Sequence, residues 1–143
     1  MALRPAKPTA IARYGSTAVV VLPGNPSAAF VGLHLLAYPL LSATPHDGEH
    51  RVTALLQGDV EAKASRTYAV HVAVETRGSA LTARVLENQC SSLVSNAARA
   101  NGLAIFPPAA RRYGEGDIVD VLLVGALRPA DSVAAITTAA AMS

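Results

Sequence analysis

The turn Leu22-Pro23-Gly24-Asn25-Pro26-Ser27-Ala28 holds the residues whose types and spacing most suggest chemistry. A β-branched run, Ala18-Val19-Val20-Val21-Leu22, leads into it, and apolar residues at helical spacing (Phe30, Leu33, Leu36, Leu40) lead away. A strand delivered through a Gly/Pro turn into a helix gathers free N–H groups and the positive end of the helix dipole at one point, which is an anion-binding geometry. Gly24 lets the backbone approach a ligand closely. The same turn serves equally well as a rigid strand–helix connection, and its local chemistry does not separate the two uses. A second polar run, Asn88-Gln89-Cys90-Ser91-Ser92-Leu93-Val94-Ser95-Asn96, offers hydroxyls, amides and a thiol ahead of a helical turn. Such loops bind oxyanions or simply cap helices.

Other chemistries find no support. No serine sits in a GxSxG elbow, and neither GxGxxG nor GxxxxGK[ST] occurs. The single cysteine, Cys90, allows no intramolecular disulfide and no multi-thiolate zinc site, and it has no histidine beside it to activate it. His46 and His50 lie four apart, but Asp47-Gly48-Glu49 between them reads as a loop. No metal ligands are identified, and no carboxylates pair at a convincing spacing. Residues 1–46 carry Arg4, Lys7 and Arg13 and no acid, whereas the rest of the chain carries nine basic and ten acidic side chains. Three positive charges are too few for a nucleic-acid footprint. They suffice for one small anion, or they are solvated residues of a terminus.

These residues need elements to position them. The chain of 143 residues is about one domain's worth and can bury a core, although 29 of its 73 hydrophobic residues are alanine. Residues 18–43 carry no charge, but Pro23 and Pro39 break the stretch too often for a bilayer span, and no signal peptide is seen. A cytoplasmic protein is expected. The fold class read from the pattern is mixed. Residues 1–42 form a short α/β strand–turn–helix remnant, in which Ala18 to Leu22 reads as a strand buried on both faces. Residues 43–49 form a polar linker. Residues 50–125 form a small, mostly-β, barrel-like C-terminal domain. Within it, Arg66 to Arg77 alternates, with Tyr68, Val70, Val72 and Val74 on one face and Ala69, His71, Ala73 and Glu75 on the other. Gly78-Ser79 turns the chain into a second strand, Ala80 to Glu87. Residues 95–100 read as a helical turn, 103–106 as a short strand and 118–124 as the last strand. Residues 126–143 read as a disordered or weakly helical tail.

Four blocks resemble one family. Val-Leu-Pro-Gly-Asn-Pro before a small-residue helix resembles the LPGNPxSA signature of the molybdopterin molybdenumtransferases (the MoeA-type proteins and the gephyrin E domain). Leu3-Arg4-Pro5-Ala6-Lys7-Pro8 resembles that family's xKPGKP stretch. The run from Ser91 to Leu103 resembles its GSGxLSSLARANGL segment, and Tyr113 to Val121 is similar to its final strand. The resemblance implies the end of the molybdopterin-binding domain followed by the whole C-terminal domain.

It further implies insertion of molybdate into adenylylated molybdopterin with magnesium, in molybdenum cofactor biosynthesis. The implied molybdate-contacting residues are Arg4 (usually Lys), Lys7, Pro8, Ala28 (usually Ser), His71 (usually Arg) and Ser91, and the turn adds Gly24, Asn25 and Ser27 as candidate substrate-binding residues. Ala6 and Cys90 stand where the family has glycine. The family's nucleotide and magnesium motifs are not found in this sequence, so the chain alone is expected to be inactive. A homodimer, or association with further domains, is expected. The alternative is a non-catalytic oxyanion-binding or dimerisation module of the same descent. If His71 points at the site, anion binding should strengthen toward pH 6; otherwise it occupies the exposed face of its strand.

Overall fold

The structure is a computed structural model that describes residues 3–6, 8–41, 50–87 and 94–130. Its centre is one long strand. Thr67–Arg77 (β6) is 11 residues, long enough for each edge to take two partners in succession. One edge pairs antiparallel with Gly102–Phe106 (β8) over Tyr68 to Val72, and the other with Ala80–Val85 (β7) over Val72 to Arg77. β7 runs parallel to Arg51–Gln57 (β4), β4 antiparallel to Ile118–Leu123 (β10), and β10 antiparallel to β8. The ring β6-β7-β4-β10-β8 therefore closes into a five-stranded barrel, the mostly-β domain that the alternating pattern predicts. Val60–Ala62 (β5) and Arg111–Tyr113 (β9) form a separate ribbon.

The barrel interior is aliphatic, as the composition requires. Leu56, Val72, Val74, Ala83, Ala104, Val119 and Val121 are buried there with Phe106, whose ring meets Tyr113 edge-on. The back of β6 is buried as well. Ala69 packs with Ala6, Val31 and Leu103, and Ala73 packs with Leu86 and Ala100. The covering layer is the helical segment that starts at Pro26–Gly32 (α1), widens into a π-helical turn over Leu33–Ala37 and ends in Tyr38–Leu41 (α2). Pro39 has no N–H to return to the preceding turn, and the wider turn lies just before it. Gly32 lies where the helix meets the lead-in; a Cβ there would stand 3.0 Å from Leu22 Cδ2. Val94–Arg99 (α3) packs beside α1 and β6.

Three readings of the sequence need correction. The strand at 18–22 is Thr17–Val21 (β3), and it is not buried on both faces. It forms an antiparallel hairpin with Ala10–Tyr14 (β2), which no periodicity had marked, and among the described residues the hairpin has no third strand and no covering layer. Ile11 is 55% exposed and Val21 54%. Leu3–Arg4 (β1), assigned to the first part of the chain, hydrogen-bonds along β6 in parallel and so belongs to the barrel sheet. Arg128–Pro129 (β11), assigned to the tail, pairs parallel with Glu75 and Thr76 of β6. The linker 43–49 and residues 131–143 lie outside the described residues. Among the described residues no helix is long and apolar enough to cross a membrane.

Candidate functional site

The turn from Leu22 to Asn25 is built as a launch for α1. Asn25 is extended (φ −72°, ψ 122°), its carbonyl accepts the Ala29 N–H at 2.8 Å, and its side chain makes no capping bond to the helix start. Gly24 and Asn25 are exposed, and a Cβ at Gly24 would meet nothing within 4 Å, so the turn backbone is open to an approaching group. The two residues that follow Pro26 turn inward. Ser27 is 2% exposed and Ala28 is also buried, so the Ser27 hydroxyl is not presented to solvent.

His71 is neither at a solvent-facing anion site nor on an exposed strand face. It is 2% exposed, beneath α1, with the Phe30 ring 5.7 Å from its own. Burial holds its imidazole below the ordinary pKa of 6.5, which favours the neutral form. Phe30 continues a ladder of rings along the helix, to His34 at 4.4 Å and from His34 to Tyr38 at 5.1 Å. His34 is also held below its ordinary pKa by burial.

Arg4 is exposed and level with Tyr68 on the neighbouring strand. Paired residues share a face and successive ones alternate, so Arg4 lies on the Tyr68 face and His71 on the other. The register thus separates two residues that the resemblance joins. Pro8 is exposed. Lys7 and Ser91 lie outside the described residues, as does Cys90. The base of the Ser91 segment is described: Asn96 is buried, and its Nδ2 donates to the Glu87 carbonyl at 3.1 Å. That bond ties the two ends of the segment together next to α1. α1, which begins directly after the turn, packs through Val31 on the back of β6 and lies beside α3.

Two further features escaped the reading of residue types. Ala6, where the family has glycine, has φ 117°, a backbone conformation that L side chains rarely adopt. Its carbonyl accepts the Thr9 hydroxyl at 2.6 Å. Asn101, between the helical turn and the short strand, is buried, and its amide is engaged with backbone at both ends. The signal for both lay in the matched blocks, where a glycine and an Asn-Gly pair stand at fixed places.

Among the described residues no group of three or more His, Cys, Asp or Glu could hold a metal ion.

A closed five-stranded barrel, with a strand–turn–helix unit laid against the back of its longest strand, defines the class of the molecule. Residues 53–124 match the family described as MoeA C-terminal region (domain IV), and the chain belongs to that family. It is similar to the molybdopterin molybdenumtransferase of Bacillus subtilis, 33% identical over 129 residues that are 87% of this chain and 30% of that protein. Among solved structures it resembles a molybdenum cofactor biosynthesis protein of Pyrococcus furiosus, at 29% identity and a TM-score of 0.67, over 85% of this chain and 42% of the other. A molybdopterin biosynthesis MoeA protein of Pyrococcus horikoshii matches at 28% identity and a TM-score of 0.69, over 87% of this chain and 31% of the other. The chain thus spans about a third of the curated relative's length. The match places it in a family of molybdenum cofactor biosynthesis.

Proposed function

We propose that this chain supplies one side of an oxyanion site in a molybdenumtransferase, and that turnover requires residues beyond those present here. The observation that carries this reading is the open Gly24-Asn25 turn, held against the barrel by α1 in a chain that is 33% identical to a molybdopterin molybdenumtransferase. Backbone N–H groups of the turn, with Lys7 as the cation, would receive molybdate or the phosphate of a molybdopterin. His71 contributes differently from a family arginine. Neutral and buried, it holds the helix that positions the turn.

Phosphoryl and molybdate transfer of this kind rely on metal-held oxygens and positioned charge. In this reading the isolated chain binds but does not convert. Incubating the purified chain with adenylylated molybdopterin, molybdate and magnesium should release no AMP, while calorimetry should detect molybdate binding that weakens in Lys7→Ala. AMP release by the chain alone would overturn the division of labour, and absence of any molybdate binding would overturn the site. The exposed hairpin of β2 and β3 supports association, with further domains or with a second copy, as the form in which the protein works.

A further inference from the structure

A cleft of about 660 Å³ opens on the other half of the helical segment, between the helix and the barrel. Its size is that of small-molecule sites, which lie in the range of roughly 300–1,000 Å³. His34, Leu35 and Tyr38 line the helix side, the chain from Leu122 to Ala126 lines the barrel side, and His50 and Arg51 complete it. Eight residues separate Ser27 from Leu35, about 12 Å along a helix axis, so this cleft is distinct from the turn at the helix start.

Its chemistry is one-sided. The walls are aliphatic and aromatic, three of the lining side chains are basic or imidazole, and no described lining residue is a carboxylate. Arg51 stands opposite Leu122 in the β4–β10 register and forms no ion pair among the described residues, whereas Arg84, Arg111 and Arg112 each have a carboxylate partner. The carboxylate nearest it in the register is Asp120, one step along the same outer face opposite Thr53, and it does not pair with Arg51 among the described residues. An apolar pocket with one uncommitted guanidinium selects for a ligand with a ring and a single negative charge.

We propose that this cleft binds a small organic anion with an aromatic or alicyclic body, its charged group on Arg51 and its ring against Leu35, Tyr38 and Leu122. The test titrates the full 143-residue chain, isotopically labelled, with 1-naphthoate and with uncharged 1-naphthalenemethanol, following amide shifts. Naphthoate should perturb Leu35, Tyr38 and the residues from Leu122 to Ala126, and should bind about tenfold more tightly than the alcohol, the scale of one hydrogen bond to a charged group. Arg51→Gln should reduce naphthoate to the level of the alcohol. Equal binding of the two probes to the wild type, shifts centred on the β2–β3 hairpin, or no saturable shift with either probe would each overturn the proposal. The comparison of probes on the wild type stands even if the variant does not fold.

Discussion

The side-chain amide of Asn101 pairs with both backbone groups of one residue, Val74. Its Oδ1 accepts the Val74 N–H at 2.6 Å and its Nδ2 donates to the Val74 carbonyl at 2.9 Å. Nδ2 also donates to the Ala126 carbonyl at 2.9 Å. On that edge of β6 the β8 pairing ends at Val72 and the β11 pairing begins at Glu75. The amide fills the gap between two strands as a peptide group would, so β6 loses no bond there.

Asn101→Ala should therefore be among the most damaging single substitutions. It strands buried donors and acceptors of Val74 and removes a tie to Ala126, at a cost of about 2–4 kcal/mol. Urea denaturation should show the midpoint falling with the slope unchanged. A loss below about 1 kcal/mol would mean that water replaces the amide.

Gly102 follows for a different reason. A Cβ there would lie 2.6 Å from Val74 Cγ2 and 2.8 Å from Val121 Cγ1, atoms on two strands of the barrel that cannot both give way. Gly102→Ala should cost about 1–3 kcal/mol or more through overpacking. Val74→Ala alone is destabilising, but combined with Gly102→Ala it should cost less than the sum of the two, and thermal melts of the four proteins in the cycle measure that coupling.

Ala6 is a test of backbone conformation against packing. Glycine there would lose about 0.8 kcal/mol of buried methyl and up to about 1 kcal/mol of unfolded-state entropy, offset by release of about 1–3 kcal/mol of backbone strain at φ 117°. At mid-range values the released strain exceeds the two losses, so Ala6→Gly should raise stability by up to about 1 kcal/mol. A clear loss in chemical denaturation would show that the methyl group, packed with Val31 and Leu103, outweighs the strain.

The histidines reverse the expected effect of acid. Burial lowers the folded-state pKa of His71 and His34 below the unfolded value of 6.5. As pH falls below 6.5 the unfolded chain takes up protons that the folded chain refuses, so stability present above that pH is lost on acidification. The slope approaches ~1.4 kcal/mol per pH unit for each such proton. Denaturation at pH 7.5, 6.5 and 5.5 should show a steepening decline, shallower in His71→Gln. An identical decline in the variant would assign it to other groups.

Much of the barrel was legible because β6 alternates and turn formers set off the strands now seen as β7, β8 and β10. The strand from Thr67 to Arg77 alternates, yet alternation reports which face a residue takes and not whether that face is covered. For His71 the cover is Phe30 of α1, 41 positions earlier in the sequence, which no local pattern reports. β2 was missed because Ala10-Ile11-Ala12-Arg13-Tyr14 is exposed on both faces and carries no period of 2. β1 and β11 are two residues each, too short for any pattern. For the site, residue types marked the turn at Gly24-Asn25, but only the register revealed that Arg4 and His71 take opposite faces.

The burial of β6 on both sides has a mechanical consequence. Its front is the barrel interior and its back is the floor on which α1 rests, so helix and barrel share a single wall. The turn at the head of α1 cannot slide over the barrel without breaking the contacts of Val31 with Ala69 and Leu103. If an oxyanion binds at the turn as proposed, it meets a helix position already set by packing, and little of its binding energy is spent on fixing it.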